Sequence, residues 1–270
     1  MSTILVTGGT GTLGRLLVPR LNASGHHVQI LSRHSHPPMD GVEYVTADLA
    51  SGEGVEAAVA GAKIVVHCAG SAKGDEIKAQ NLVEAARKSD VGHLVYISVV
   101  GAERVPIASR VDRATFGYFG AKFAAEGLVA NSGVPWTTLR ATQFYELTFT
   151  TVEQMSKLPI VPVPAGFRFQ PIGGDEVAAR LAELALGEPR GLVPDMAGPR
   201  AYPMADLIRG YLSARHMRRL LVPMRMPGKA AAAMRAGANL ALDRAVGRRS
   251  WEDYLAERVG ASGKSSPRFV

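Results

Sequence analysis

The sequence predicts an α/β fold, a doubly wound parallel sheet with a small C-terminal lobe. Three observations predict it. Strand-like and helix-like segments alternate through the first 140 residues. The strand-like segments are continuous apolar runs rather than alternating ones, as in a sheet covered on both faces. The first of them, Ile4-Leu5-Val6-Thr7, enters a glycine turn that opens directly into an amphipathic helix.

Residues 3–7 read as a strand, and 12–23 as a helix, from the spacing of Leu13, Leu16, Leu17 and Leu21. Residues 28–32 form the second strand and 43–46 a short third, followed by a helix near 53–60. The run from Lys63 to Ala69 has the composition of a buried parallel strand. A helix over 75–88, a strand over 93–98, a helix over 118–131 and a strand over 136–140 complete the alternation. Beyond residue 150 seven prolines from Pro159 to Pro199 break the rhythm, and helices are expected at 174–186, 203–214, 229–243 and 250–258. The expected division is a core over 1–150 and a lobe over 151–270 that closes on the strand ends as one structural unit. The tail after Gly260 is expected to fray.

The glycine turn is the strongest chemical signal. Gly8, Gly11 and Gly14 stand three apart between a strand and a helix. Glycines there let the turn tighten, bring backbone against a pyrophosphate and seat the helix on the sheet. The helix start, with Thr10, Thr12 and Leu13, offers free N–H groups and a positive dipole end. A dinucleotide site is therefore expected at the first strand.

The second strand ends at Ser32-Arg33, where an NAD site usually carries an acid for the ribose hydroxyls. A hydroxyl and a guanidinium suit a 2′-phosphate instead, so NADP(H) is expected in preference to NAD(H). Asp48, followed by Leu49, either meets the adenine amino group or caps the next helix. Cys68, Ala69 and Gly70 end the fourth strand, small enough for a ribose to pass, and Cys68 reads as a small buried residue rather than a nucleophile. Four nearby histidines, His26, His27, His34 and His36, lack the accompanying Cys or carboxylate pattern of a metal site.

Tyr118 and Lys122 stand four apart on a helix and share a face. That face can present a phenol to a carbonyl and an ammonium to the nicotinamide ribose. Lys122 is expected to lower the Tyr118 pKa toward the working range of a general acid.

These residues resemble those of the short-chain dehydrogenases/reductases, and more narrowly an atypical, NmrA-like member. The resemblance rests on Thr7 to Gly14, Leu31-Ser32-Arg33, Tyr96 to Ala102, Tyr118 with Lys122, Gly133 to Arg140, and Gln143-Phe144. It implies a Rossmann-like NAD(P) domain with a C-terminal substrate lobe, and covers residues 3–185. By position in the family, Ala141, Thr142, Gln143 and Phe144 line the nicotinamide. Phe144 and Tyr145 either stack on an aromatic substrate or fill the cleft wall. The family's serine is expected near Val99 or Val100, which have no hydroxyl, so Ser98 is assigned to cofactor or backbone. Three functions follow from the resemblance. The first is an NADPH-dependent reductase of a small carbonyl, quinone or conjugated acceptor, with Tyr118 and Lys122 as catalytic residues. The second is a non-catalytic NADP-binding redox sensor, and the third a sugar-nucleotide epimerase or dehydratase.

Composition bounds the rest. The 270 residues are 47% apolar, enough for one large core. No apolar run reaches the roughly 18 residues of a membrane span. The chain enters its first strand at once and carries one cysteine, so no signal peptide and a cytoplasmic location are expected. Net charge is +7, and residues 200–270 hold 14 Lys/Arg against 5 Asp/Glu. That excess would suit nucleic acid, anionic lipid or an acidic partner. Without a basic stripe interleaved with aromatics it reads as a solvated helical surface, with a small-molecule substrate and no nucleic acid expected. The sequence sets no oligomeric state.

Overall fold

The computed structural model describes residues 2–37, 40–70 and 74–263. The expected frayed segment lies largely outside them. β1 (Thr3–Thr7) leads through the glycine turn to α1 (Thr12–Asn22). Next come β2 (His27–Ser32), β3 (Val42–Thr46), α2 (Val55–Val59), β4 (Ile64–His67), α3 (Asp75–Arg87), β5 (His93–Val99), α4 (Arg110–Ala130) and β6 (Trp136–Ala141). The chain continues through α5 (Tyr145–Met155), β7 (Ile160–Pro164), β8 (Arg168–Phe169), α6 (Gly174–Leu186) and β9 (Gly191–Leu192). It closes with β10 (Tyr202–Pro203), α7 (Met204–Ala214), β11 (Leu220–Met224), α8 (Lys229–Ala236) and α9 (Trp251–Gly263).

The central sheet has the order β3-β2-β1-β4-β5-β6-β9 and every pair in it is parallel. That is the doubly wound arrangement, and its strand order reverses between β1 and β4, where ligands bind beyond the strand ends. Thr7 sits in register with Leu31 on one side and His67 on the other, so the glycine turn emerges at that reversal. The two faces of the sheet carry separate cores. One joins Leu17 and Leu21 of α1 to Val177 and Leu181 of α6. The other joins Leu82 and Val83 of α3 to Ala125 and Val129 of α4.

Four expectations change. α4 begins at Arg110, eight residues ahead of the expected start. Ser109 and Asp112 form a reciprocal capping box, with Asp112 N–H donating to Ser109 Oγ at 3.0 Å and Ser109 N–H to Asp112 Oδ2 at 3.1 Å. The helix over 229–243 stops at Ala236, because Gly237 turns left-handed at φ +88°. Residues 145–155 are helical, and the short lobe strands pair only through long-range contacts. The division at residue 150 also shifts, since α6 packs on α1 and β9 joins β6 in the central sheet. The lobe has its own core, in which Tyr145 stacks on Trp251 and Tyr254 at 5.9 and 5.2 Å.

Candidate active site

A cleft of 1170 Å³ opens over the carboxyl ends of the central strands. Its walls include Gly8, Thr10, Gly11, Thr12, Leu13, Ser32, Arg33, Asp48, Leu49, Cys68, Ala69, Gly70, Ser98, Tyr118, Lys122, Ala141, Thr142, Gln143 and Phe144. Of the residues assigned to the site from the sequence, Gly14 and Tyr145 stay off the wall. A Cβ on Gly14 would lie 2.2 Å from Gly8 O, so its role is to seat α1 against the turn.

At the glycine-turn end of the cleft, Gly8 has φ +70°, and a Cβ there would stand 2.6 Å from Ala69 N. Gly11 N–H donates to Gly8 O at 3.0 Å and Gly11 caps α1. The first turn of α1 has no side-chain cap and no acidic residue, so its N–H groups face the cleft without a competing anion. This cradle fits a dinucleotide.

At the end of the cleft beyond β2, Ser32 Oγ accepts from His34 N–H at 3.2 Å and lies 2.8 Å from His36 Nε2. His36 stacks on Tyr44 with ring centroids 4.6 Å apart. Arg33, His34 and His36 thus line the same end of the cleft. Asp48 folds onto its own turn, accepting from Ala50 N–H at 2.8 Å, while α2 is capped by Gly54. The helix-cap role for Asp48 is therefore not used.

Lys122 on the cleft wall belongs to a buried charge cluster. Lys122 Nζ lies 3.2 Å from Asp75 Oδ2 and donates to Ile97 O at 3.3 Å. Lys122 is 3% exposed and Asp75 1%. The ammonium also stands 4.9 Å from the Tyr96 ring centroid and 5.7 Å from that of Tyr118. Burial lowers the Lys122 pKa and Asp75 opposes that shift. Behind it, His67 is buried with Nδ1 2.6 Å from Thr7 Oγ1, and desolvation drives its pKa down to about 3. Ala69 N–H donates to that same hydroxyl at 3.3 Å.

Tyr118 departs from expectation. Its phenol is pushed above its ordinary value by desolvation first and by the Asp75 charge second. Lys122 was expected to lower it, but Asp75 takes up that ammonium, so Tyr118 holds its proton more tightly. Tyr118 itself remains 37% exposed on the cleft wall. Ser98 is buried, and its hydroxyl finds no hydrogen-bond partner among the described residues. An orphaned hydroxyl beside the switch point is what a bound cofactor would satisfy. The Cys68 thiol is pushed up to about 12 by burial, which leaves it a poor nucleophile. Tyr145 is fully buried in the lobe core with its hydroxyl donating to Arg249 O at 2.6 Å, so only Phe144 of that aromatic pair reaches the cleft.

Several wall residues were not singled out from the sequence. His34 and His36 line the cleft but carry only an unsupported metal pattern in the sequence, and Asp75, which pairs with Lys122 beside the wall, is marked there only as the first residue of a helix. Thr115 sits three residues before Tyr118 on α4, on the helix face that the Tyr118–Lys122 spacing marks. Phe169, Met204, Leu207 and Met234 reach the cleft from the lobe and could not be placed without its packing.

The NAD(P)H-binding family profile matches residues 8–164, more than half of the chain. The chain belongs to the NAD(P)H-binding family. An uncharacterised protein of Mycobacterium tuberculosis is 28% identical over 191 residues, 68% of this NAD(P)H-binding chain and 20% of that relative. The chain thus spans about a fifth of the length of its mycobacterial relatives. A 2-alkyl-3-oxoalkanoate reductase of Stenotrophomonas maltophilia is 36% identical over 107 residues, 35% of this chain and 32% of that one.

Solved structures share the fold at low identity. The NADPH-dependent quinone oxidoreductase of Escherichia coli, complexed with NADPH, superposes with a TM-score of 0.77 at 16% identity, covering 94% of this chain and 99% of that one. Triphenylmethane reductase of Citrobacter sp. gives 0.75 at 17%, covering 96% and 99%. UDP-N-acetylglucosamine 4-epimerase of Bacillus cereus gives 0.67 at 17%, covering 100% and 99%. The NAD(P)H-binding assignment agrees with the Rossmann-like, atypical short-chain reductase resemblance read from the motifs. Among the described residues no helix is long and apolar enough to cross a membrane.

Proposed function

We propose that the protein is an NADPH-dependent oxidoreductase that reduces a small quinone, carbonyl or related conjugated acceptor. The observation that carries this is the continuity of the cleft. It runs from the glycine turn, past Ser98, Tyr118 and Lys122, into a space walled by Phe144, Phe169, Met204, Leu207 and Met234. Such a wall suits a flat apolar acceptor, held by packing and stacking.

Bound NADPH would supply the hydride. The α1 N-terminus and the turn from Gly8 to Leu13 hold the pyrophosphate. Arg33, with Ser32, faces the 2′-phosphate and favours NADP over NAD. Ser98 and Lys122 meet the nicotinamide half, and backbone of Ala141 to Gln143 orients it, as the family resemblance implies. The apolar wall excludes water and holds the acceptor against the cofactor, so positioning supplies most of the rate. Tyr118 keeps its proton and offers a hydrogen bond to the developing oxyanion.

The Lys122–Asp75 pair favours one alternative, an NADP-binding redox sensor without turnover, because the ammonium is already neutralised. NADPH consumption by the purified protein against a panel of quinones, ketones and 3-oxoacyl compounds separates the two. Turnover with an apolar acceptor supports the reductase. Tight NADPH binding with no turnover on any of them overturns it in favour of the sensor.

A further inference from the structure

The lobe turns an apolar face to solvent on the far side of its own core. β7 and β11 pair in parallel, with Leu220 opposite Ile160, Val222 opposite Pro162 and Met224 opposite Pro164. Successive strand residues point to opposite faces. Val161, Val163 and Leu221 therefore pack inward on the lobe core. Their neighbours point out, leaving Leu220 61%, Ile160 55%, Met224 52% and Val222 37% exposed. Leu158, 49% exposed, extends the patch from just before β7. The outward face carries no polar side chain, and none of these residues lines the cofactor cleft.

The surrounding sequence is strongly one-signed. Between Asp206 and Asp243 there are seven Lys/Arg and no acidic residue. Arg218 and Arg219 precede β11, Arg225 follows it, and Lys157 precedes β7. Arg219 is held in place through Nε–H donating to Ser156 O at 2.9 Å, and Arg218, Arg225 and Lys157 remain exposed. Aliphatic side chains framed by cations complement a surface of hydrocarbon and phosphate. The face offers no aromatic platform for nucleic-acid bases. Pro223 removes an N–H from the β11 edge, which opposes strand addition by a second copy.

We propose that the outward face of the β7–β11 sheet docks on an anionic lipid bilayer. Leu220, Val222, Met224 and Ile160 enter the boundary between headgroups and acyl chains, and Arg218, Arg225 and Lys157 contact lipid phosphates. Docking there would place the cleft where apolar acceptors concentrate, but it does not depend on turnover.

Flotation of the full chain with phosphatidylglycerol–phosphatidylcholine vesicles, beside phosphatidylcholine alone, tests this directly. Binding should favour the anionic vesicles about tenfold or more and weaken as salt rises. Leu220→Asp with Met224→Asp, and separately Arg218→Glu with Arg225→Glu, should each lower it about tenfold or more. Melting temperature and NADPH binding should stay unchanged, because all four side chains are exposed and lie outside the cleft. No flotation with anionic vesicles overturns the proposal, as does equal flotation of the Leu220/Met224 variant. Self-association abolished by that variant, without flotation, would instead assign the face to a second copy of the chain.

Discussion

Replacing Asp75 with Asn removes one charge from the buried ion pair that Lys122 makes beside the cleft. Lys122 Nζ and Asp75 Oδ2 lie 3.2 Å apart. At that separation and an effective dielectric of about 20, their attraction is about 5 kcal/mol. Breaking a buried pair by removing one partner typically costs about 3–5 kcal/mol, because the remaining charge stays desolvated. Asn retains a hydrogen-bond acceptor, so a loss of about 3 kcal/mol near pH 7 is expected in urea unfolding of the cofactor-free protein. The sign of its pH dependence follows from Lys122. Burial lowers that pKa in the folded state and Asp75 holds it up. In Asp75→Asn it falls further, so the folded protein sheds the proton at a pH where the unfolded chain still binds it. Stability then rises with pH, and the deficit against the parent protein narrows between pH 7 and lysine's ordinary value of about 10.4. Asp75→Asn combined with Lys122→Met should recover most of the loss, since an apolar replacement of both partners is often neutral. A deficit under about 1 kcal/mol, or one that does not change with pH, would refute the reasoning.

Other expectations are simpler. Under the proposed NADP preference, Arg33→Ala should weaken NADPH binding by about 10- to 100-fold and leave NADH unchanged in titration calorimetry, the worth of one charge-assisted contact. Gly14→Ala should destabilise the fold by about 3 kcal/mol and abolish cofactor binding, because backbone, not a flexible side chain, occupies the Cβ position; a melt like the parent's would show that α1 can shift. His67 has its pKa driven to about 3 in the fold. Stability should therefore be full above pH 6.5 and fall by roughly 1.4 kcal/mol per pH unit below it, a slope that His67→Asn should remove.

The local part of the site was legible because local spacing encodes it. Gly8, Gly11 and Gly14 mark both ends of a strand–turn–helix within a dozen residues, and Ser32-Arg33 marks the end of the adjacent strand. Tyr118 and Lys122 needed only a helical repeat. The start of α4 is written in the capping box of Ser109 and Asp112, which lies eight residues before the segment whose spacing predicts the helix. The lobe was opaque for another reason. β8 and β10 are two residues each and exist because Tyr202 pairs with Phe169 across the fold, which no local pattern announces. The same holds for Asp75, whose charge matters only because β4 and β5 bring the start of α3 against Lys122.

That last contact bears on which acceptor the site can serve. Reducing an isolated ketone leaves a strongly basic alkoxide, which must take a proton as it forms. The groups able to help are poorly set for this. Tyr118 holds its proton above the ordinary phenol range, Lys122 shares its charge with Asp75, and Val99 and Val100 carry no hydroxyl where the reductase serine is expected. A quinone or extended conjugated acceptor spreads the incoming electron pair over its ring, so its reduced anion is a weaker base and accepts a solvent proton later. Under the reductase reading, kcat/KM for a quinone should exceed that for a ketone of similar size by about 100-fold or more, the usual worth of general acid help. Tyr118→Phe should then lower quinone turnover by less than about tenfold, since only a hydrogen bond is lost. In the Asp75→Asn variant Lys122 is freed from its partner, and the same assay should show ketone turnover rising relative to quinone. A parent protein that reduces both classes equally, with Tyr118→Phe abolishing both, would place Tyr118 back in the role of a full proton donor.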